Sequence, residues 1–208
     1  LLSPTSIPQD HRQRVTKTEE LPDKTFASVL TIKVETEKLK TEKQLYKEAP
    51  GPKALEETAE IQHNHPMIKA LVREIVRKDW SSWRAALGIN DWVYKNLDKV
   101  LEDSVSALDA LQKRRGECQS HTNLFVALAR AAGIPARVVN GLVYSSEFKG
   151  FAYHAWPEVY VGQWRALDPT LGQSVADATH IKLAKGDEAG PLKLLEFMGK
   201  LKIQILEN

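Results

Sequence analysis

The chain has 208 residues, room for one full domain and a smaller appendage. Apolar residues make up 42% and charged residues 27%, an ordinary globular composition. The formal net charge of +2 gives no electrostatic basis for binding nucleic acid or a membrane surface. No apolar run is long enough to span a bilayer, and a single cysteine excludes both an intramolecular disulfide and a Cys-rich zinc site.

Residues 1–25 are polar, carry Pro4, Pro8 and Pro22, and read as a tail or linker. The first residue is Leu1, and no basic-then-apolar leader follows it. The chain is therefore expected to be part of a longer polypeptide. Residues 26–34 are rich in β-branched side chains and predict one strand, without a local partner and expected to be the end of a missing upstream domain. Residues 35–53 are charged and end in Pro50-Gly51-Pro52, a second linker signal. Residues 1–60 are thus expected to form an extension, and residues 61–208 the main domain.

The compact part starts near Pro66. Met67, Ile68, Leu71, Val72, Ile75 and Val76 recur at helical spacing, with Pro66 suited to the first turn. A second helix is predicted over 82–98, and a third after Ser104 as N-cap, through Ala107, Leu108 and Leu111. A fourth starts near Cys118 and presents Leu124, Phe125, Leu128 and Ala131 on one face. Gly133 supplies its C-terminal cap and Pro135 prevents continuation. The period then changes: 136–143, 152–161 and 164–167 predict three strands, the last two joined by a tight turn at Gly162-Gln163. A Leu- and Lys-rich segment, 191–202, and an apolar run, 203–206, close the chain. Helices followed by an antiparallel sheet give an α+β fold.

A catalytic thiol must be present as thiolate, although a free cysteine titrates near ~8.5. Cys118 lies at a predicted helix start, where backbone N–H groups and the helix dipole favour an anion. Gly116 permits the sharp entry and Glu117 is expected to face solvent. His154, on the middle strand, and Asp168, at the end of the next, can supply a base and the group that orients it. If Val161 pairs with Trp164, Asp168 falls opposite Pro157, three residues from His154. A bulge near Pro157 or contact beyond the end of the ladder must close that gap.

Three stretches carry a resemblance. Gly116-Glu-Cys-Gln-Ser-His-Thr-Asn-Leu-Phe-Val-Ala-Leu-Ala-Arg-Ala-Ala-Gly-Ile-Pro-Ala-Arg-Val-Val is similar to the cysteine motif of the transglutaminase-like superfamily. Tyr153-His-Ala-Trp-Pro-Glu-Val-Tyr resembles its histidine motif, and Trp164-Arg-Ala-Leu-Asp-Pro-Thr its aspartate motif. The likeness covers roughly residues 66–185, with Thr179-His-Ile-Lys-Leu a weaker extension typical of bacterial members. It implies a papain-like fold and a Cys118-His154-Asp168 triad. The chemistry implied is acyl transfer on amide bonds through a thioester acyl-enzyme, with a peptide or protein amide as substrate. The Cys118 backbone N–H is one candidate oxyanion donor, and Gln112 or Trp92 a second by analogy. No metal, nucleotide or other cofactor is implied, and the chain has no calcium loop of the Asp-x-Asp-x-Asn-Gly type. Hydrolysis as a peptidase or amidase is the first expectation. A true glutamine transglutaminase and a non-catalytic peptide-binding domain are the alternatives. By analogy with exported bacterial members, an extracytoplasmic location is expected.

Other polar residues have plainer readings. His121, three residues after Cys118, is expected to pack or hydrogen-bond, and His180 to be structural. His63 and His65 form an exposed pre-helix segment rather than a metal site. Arg114 and Arg115 are read as a solvated pair. Arg137 is expected to lay its stem on the sheet and pair with an acid.

Overall fold

The structure, a computed structural model, describes residues 7–33, 52–101, 106–147, 149–186, 197 and 199–205. The chain divides into two compact units. One comprises 35–138 and 155–176, and the other 1–34, 139–154 and 177–208.

The first unit holds four helices: α1 (Pro66–Ile75), α2 (Ser82–Asn96), α3 (Ala107–Lys113) and α4 (Cys118–Ala131). Each start has a local cause. Pro66 opens α1, and the ring Nδ1 of His65 accepts from the Met67 backbone N–H at 3.2 Å. The expected pre-helix histidine is therefore the N-cap. Ser81 caps α2 through the Arg84 N–H. Ser106 caps α3 through the Asp109 N–H at 3.1 Å. The cap expected at Ser104 lies outside the described residues. The second helix ends at Asn96, two residues before the predicted 98, because Asp98 and Lys99 (β3) pair in parallel with Arg115 and Gly116 (β4).

The helix α4 is the core of this unit. The periodicity predicts one apolar face, yet every residue from Ser120 to Arg130 is buried. It packs against α1, α2 and α3, and Leu124, Phe125 and Leu128 have no exposed surface. Surrounded on all sides, it must also satisfy polar side chains. Arg130 does so by donating to the carbonyls of Ala136 and Glu56. The helix ends as expected. Gly133 adopts φ 75°, its N–H donates to the Arg130 carbonyl, and Ile134 N–H donates to that of Ala129. These are the paired bonds of a Schellman motif.

Strands β5 (Ala136–Ser145), β6 (Gly150–Tyr160), β7 (Trp164–Ala166) and β8 (Ile181–Lys185) form a sheet in the order β7-β6-β5-β8. The β6–β7 register is Tyr160↔Trp164, Val159↔Arg165 and Glu158↔Ala166. The connecting loop is one residue longer than in the trial pairing of Val161 with Trp164, because Gly162 takes φ 89° and Val161 N–H closes the turn on the Gln163 carbonyl. Arg137 donates from two nitrogens to one carboxylate oxygen of buried Glu158 (2.8 and 2.6 Å) and covers the Trp164 ring at 3.8 Å. That fulfils the expected acid pairing.

The second unit corrects the reading of the first 34 residues. A strand, β1 (Gln13–Glu20), stands where a tail is expected, and β2 (Phe26–Ile32) pairs with it antiparallel. The extension therefore carries two strands rather than one, and the strand around 26–32 has a local partner. Pro22 belongs to the turn between them, which Lys24 completes at φ 62° and Asp23 caps by accepting from Thr25 N–H. Residues 10–13 then dock on β8 and the segment before it. Arg12 donates to the carbonyls of His180 (3.0 Å) and Asp177. The Gln13 amide bonds both the N–H and the C=O of Lys182, each at 2.7 Å. The buried Lys182 ammonium meets the Asp10 carboxylate at 2.5 Å, which also accepts from the Arg12 and Gln13 N–H groups. Strand β8 has no counterpart among the predicted strands, and the Leu- and Lys-rich segment falls largely outside the described residues.

Candidate active site

Cys118 is the first residue of α4 and is half-buried. Glu117, the N-cap, is extended (φ −85°, ψ −172°) and makes no side-chain capping bond. It is half-buried rather than fully exposed. The helix thus starts at the sulfur with its N-cap side chain making no bond to the first amides. The approach to it is fixed in three ways. Asp98 N–H donates to the Arg114 carbonyl and Val100 N–H to that of Gly116. Arg114 takes the left-handed conformation (φ 56°, ψ 30°) and lays its guanidinium over Trp92 at 4.6 Å. Gly116 lies so close to Ser120 that an added Cβ would meet the Ser120 Cβ at 2.4 Å. The glycine is needed here for close approach.

Asp168 follows β7 in the same unit and is completely buried. Its backbone pairs with Gln173 in both directions at 2.9 Å. One carboxylate oxygen, Oδ1, accepts from Thr170 N–H (2.8 Å) and Leu171 N–H (2.9 Å). Two backbone donors thus fix this oxygen in place. The bland reading of Asp-Pro as a turn cap therefore holds for this oxygen and leaves Oδ2 out of the turn. The loop is braced from α2: Asn90 donates to the Gln173 carbonyl at 3.4 Å, and Gly172 (φ 71°) sits against the Tyr94 ring.

His154 lies on β6, at the end of the part belonging to the second unit, and is buried. The centroid of its ring is 5.8 Å from that of His180, tilted by 59°. His180 is itself fully buried and donates from Nδ1 to Asp177 Oδ1 at 3.1 Å. It thus has the structural partner expected, and also stands beside the predicted base.

The two residues offered as second oxyanion donors have other partners. Gln112 is exposed on α3 with its amide toward the Met67 sulfur at 3.9 Å. Trp92 is half-buried on α2 beneath Arg114.

His121, expected to pack or hydrogen-bond, does both. It is buried one turn into α4. Its Nδ1 lies 2.9 Å from the Glu117 carbonyl. Burial lowers its pKa below the ordinary imidazole value, against the opposing pull of the Glu117 and Leu97 carbonyls and of Asp168. The only sequence signal was its position three residues after the cysteine.

Residues 69–169 match the family model described as the transglutaminase-like superfamily. A solved protein from Cytophaga hutchinsonii, described as a candidate cysteine protease, is 20% identical with a TM-score of 0.65 over 88% of this chain and 74% of its own. An uncharacterized protein of Mycobacterium leprae is 30% identical over 60% of this chain and 48% of its own length. Kyphoscoliosis peptidase of Mus musculus is 26% identical over 55% of this chain and 20% of its own. The chain spans less than half the length of these curated relatives.

Proposed function

Because residues 69–169 match the family model of the transglutaminase-like superfamily, we propose that the chain is a member of it and a cysteine-dependent acyl-transfer enzyme that hydrolyses peptide or related amides. Cys118 is the nucleophile, His154 the acid and base, and Asp168 the group that orients the imidazole. The observation that carries this reading is a half-buried thiol at the start of a helix whose N-cap side chain makes no capping bond and whose residues from Ser120 to Arg130 are buried. A structural cysteine would be sunk in the core among apolar groups.

The Cys118 thiolate adds to the amide carbonyl carbon, and the oxygen takes the negative charge beside the Cys118 N–H. The C–N bond breaks as the His154 imidazolium gives its proton to the departing amine. A thioester remains. Water, losing a proton to His154, attacks it, and the carboxylic acid leaves as the Cys118 thiolate and the His154 imidazolium are restored. Asp168 stabilises the imidazolium while one of its oxygens stays tied to the 170–171 amides.

A glutamine-containing peptide incubated with a labelled primary amine tests the choice of acceptor. Release of ammonia or peptide fragments without incorporated label is the expected result. Incorporated amine without matching hydrolysis would replace hydrolysis by transglutamination. Cys118→Ala should remove turnover altogether. If wild-type Cys118 reacts with iodoacetamide no faster than free cysteine and no peptide is turned over, the enzyme reading fails in favour of a peptide-binding domain. Localisation outside the cytoplasm remains part of the proposal, and no helix among the described residues is long and apolar enough to cross a membrane.

A further inference from the structure

The Glu117 carbonyl receives two hydrogen bonds from one residue. His121 donates to it through the backbone N–H at 3.1 Å, the first bond of the helix, and again through the ring at 2.9 Å. A carbonyl only accepts, so Nδ1 must carry the proton. Burial keeps the ring neutral near pH 7, and one proton is then all it has. The other nitrogen, Nε2, is buried with no hydrogen-bond partner among the described residues. The Leu97 carbonyl faces the ring, Lys99 disfavours its charge and Asp168 favours it. Leaving Nε2 unsatisfied costs free energy. The ring is held in this tautomer by the bond to Glu117.

That carbonyl belongs to the peptide unit whose other edge is the Cys118 N–H. The unit is planar, so fixing the oxygen fixes the direction of the N–H. A hydrogen bond accepted at the oxygen also polarises the amide and strengthens it as a donor. We propose that His121 is a positioning residue for the oxyanion: through Glu117 it aims and strengthens the Cys118 N–H. This rests on the acyl-transfer reading above, and it assigns a role to a histidine that touches no reacting atom.

The test uses His121→Leu and His121→Asn on the full chain, with the amide substrate that the wild type turns over. The Asn side-chain amide can replace Nδ1–H as donor, whereas Leu cannot. His121→Leu should lower kcat by about tenfold or more with KM unchanged, since an oxyanion donor acts in the transition state. His121→Asn should recover most of that loss. Alkylation of Cys118 by iodoacetamide creates no oxyanion, so its rate should stay at the wild-type value in both and report an intact thiol. A folded Leu variant with wild-type kcat, or an Asn variant no better than Leu, overturns the proposal. If neither variant folds, the ring of 15N-labelled wild-type protein decides. A protonated Nδ1 at neutral pH supports the assignment, and a ring protonated at Nε2 overturns it. A wild type that turns over no amide defeats the enzyme reading and this role with it, while the tautomer still reports whether the Glu117 bond exists.

Discussion

The helical unit and the unit containing the N-terminal hairpin are stabilised by different means. In the first, α4 is encased by α1–α3 and an apolar cluster that runs from Ile61 to Leu167. In the second, the buried apolar residues of one small cluster are Leu142, Leu183 and Phe197. There the docking of residues 10–13 on 177–182 relies on polar side chains bonded to main chain. Apolar burial is non-directional and tolerates small shifts, whereas a buried charge loses its compensation once its partner goes. The lesson is that the second unit should fail through single polar changes that the first would absorb on its surface.

The largest effect should come from emptying the helical core. Phe125→Ala removes a fully buried ring from α4 and should cost about 4 kcal/mol in urea denaturation. A cost below about 1 kcal/mol would mean that the helix is not the structural centre of its unit. Next comes Asp10→Ala. It leaves the Lys182 ammonium, 1% exposed, without its carboxylate, and should cost about 3 kcal/mol. If this variant is as stable as the wild type, the polar clamp is incidental and the contrast between the units disappears.

The smallest effect sharpens the same contrast through pH. Burial alone would raise the Asp10 carboxyl, but the Lys182 charge and hydrogen bonds from Lys182, Gln13 and Arg12 outweigh it and bring the pKa down to about 2. A carboxylate depressed in the folded state stabilises fully above its ordinary value of 3.8 and loses that contribution as pH falls toward 2. After allowance for solvent screening, the contribution is about 1 kcal/mol. Acid titration of stability should show this loss between pH 4 and 2 in the wild type. The same drop in an Asp10→Asn variant would assign it to other carboxylates.

The oxyanion and acceptor experiments address the site rather than the scaffold, and the sequence was unequally informative about the two. Gly116 before a helix start, Gly133 and Pro135 at its end, and the Arg137 pairing were legible because each follows from local geometry or from a short hairpin. The β1 strand was not legible: Gln-Arg-Val-Thr-Lys-Thr-Glu-Glu has no apolar alternation and becomes a strand by pairing with β2.

What the sequence determined by itself was the helix-then-sheet order, the place of Cys118 at the start of α4, and the chemistry that its neighbours suggest. Those features depend on contacts within a few residues, or on periodicities of about 3.6 and 2 that local stretches carry whole. Only the tertiary structure decided that Arg12 holds the His180 carbonyl, 168 residues away, that α4 is buried on every side, and that His121 grips the peptide ahead of the sulfur. A buried polar group takes whichever partner the fold brings within about 3 Å. Chain distance does not encode that choice.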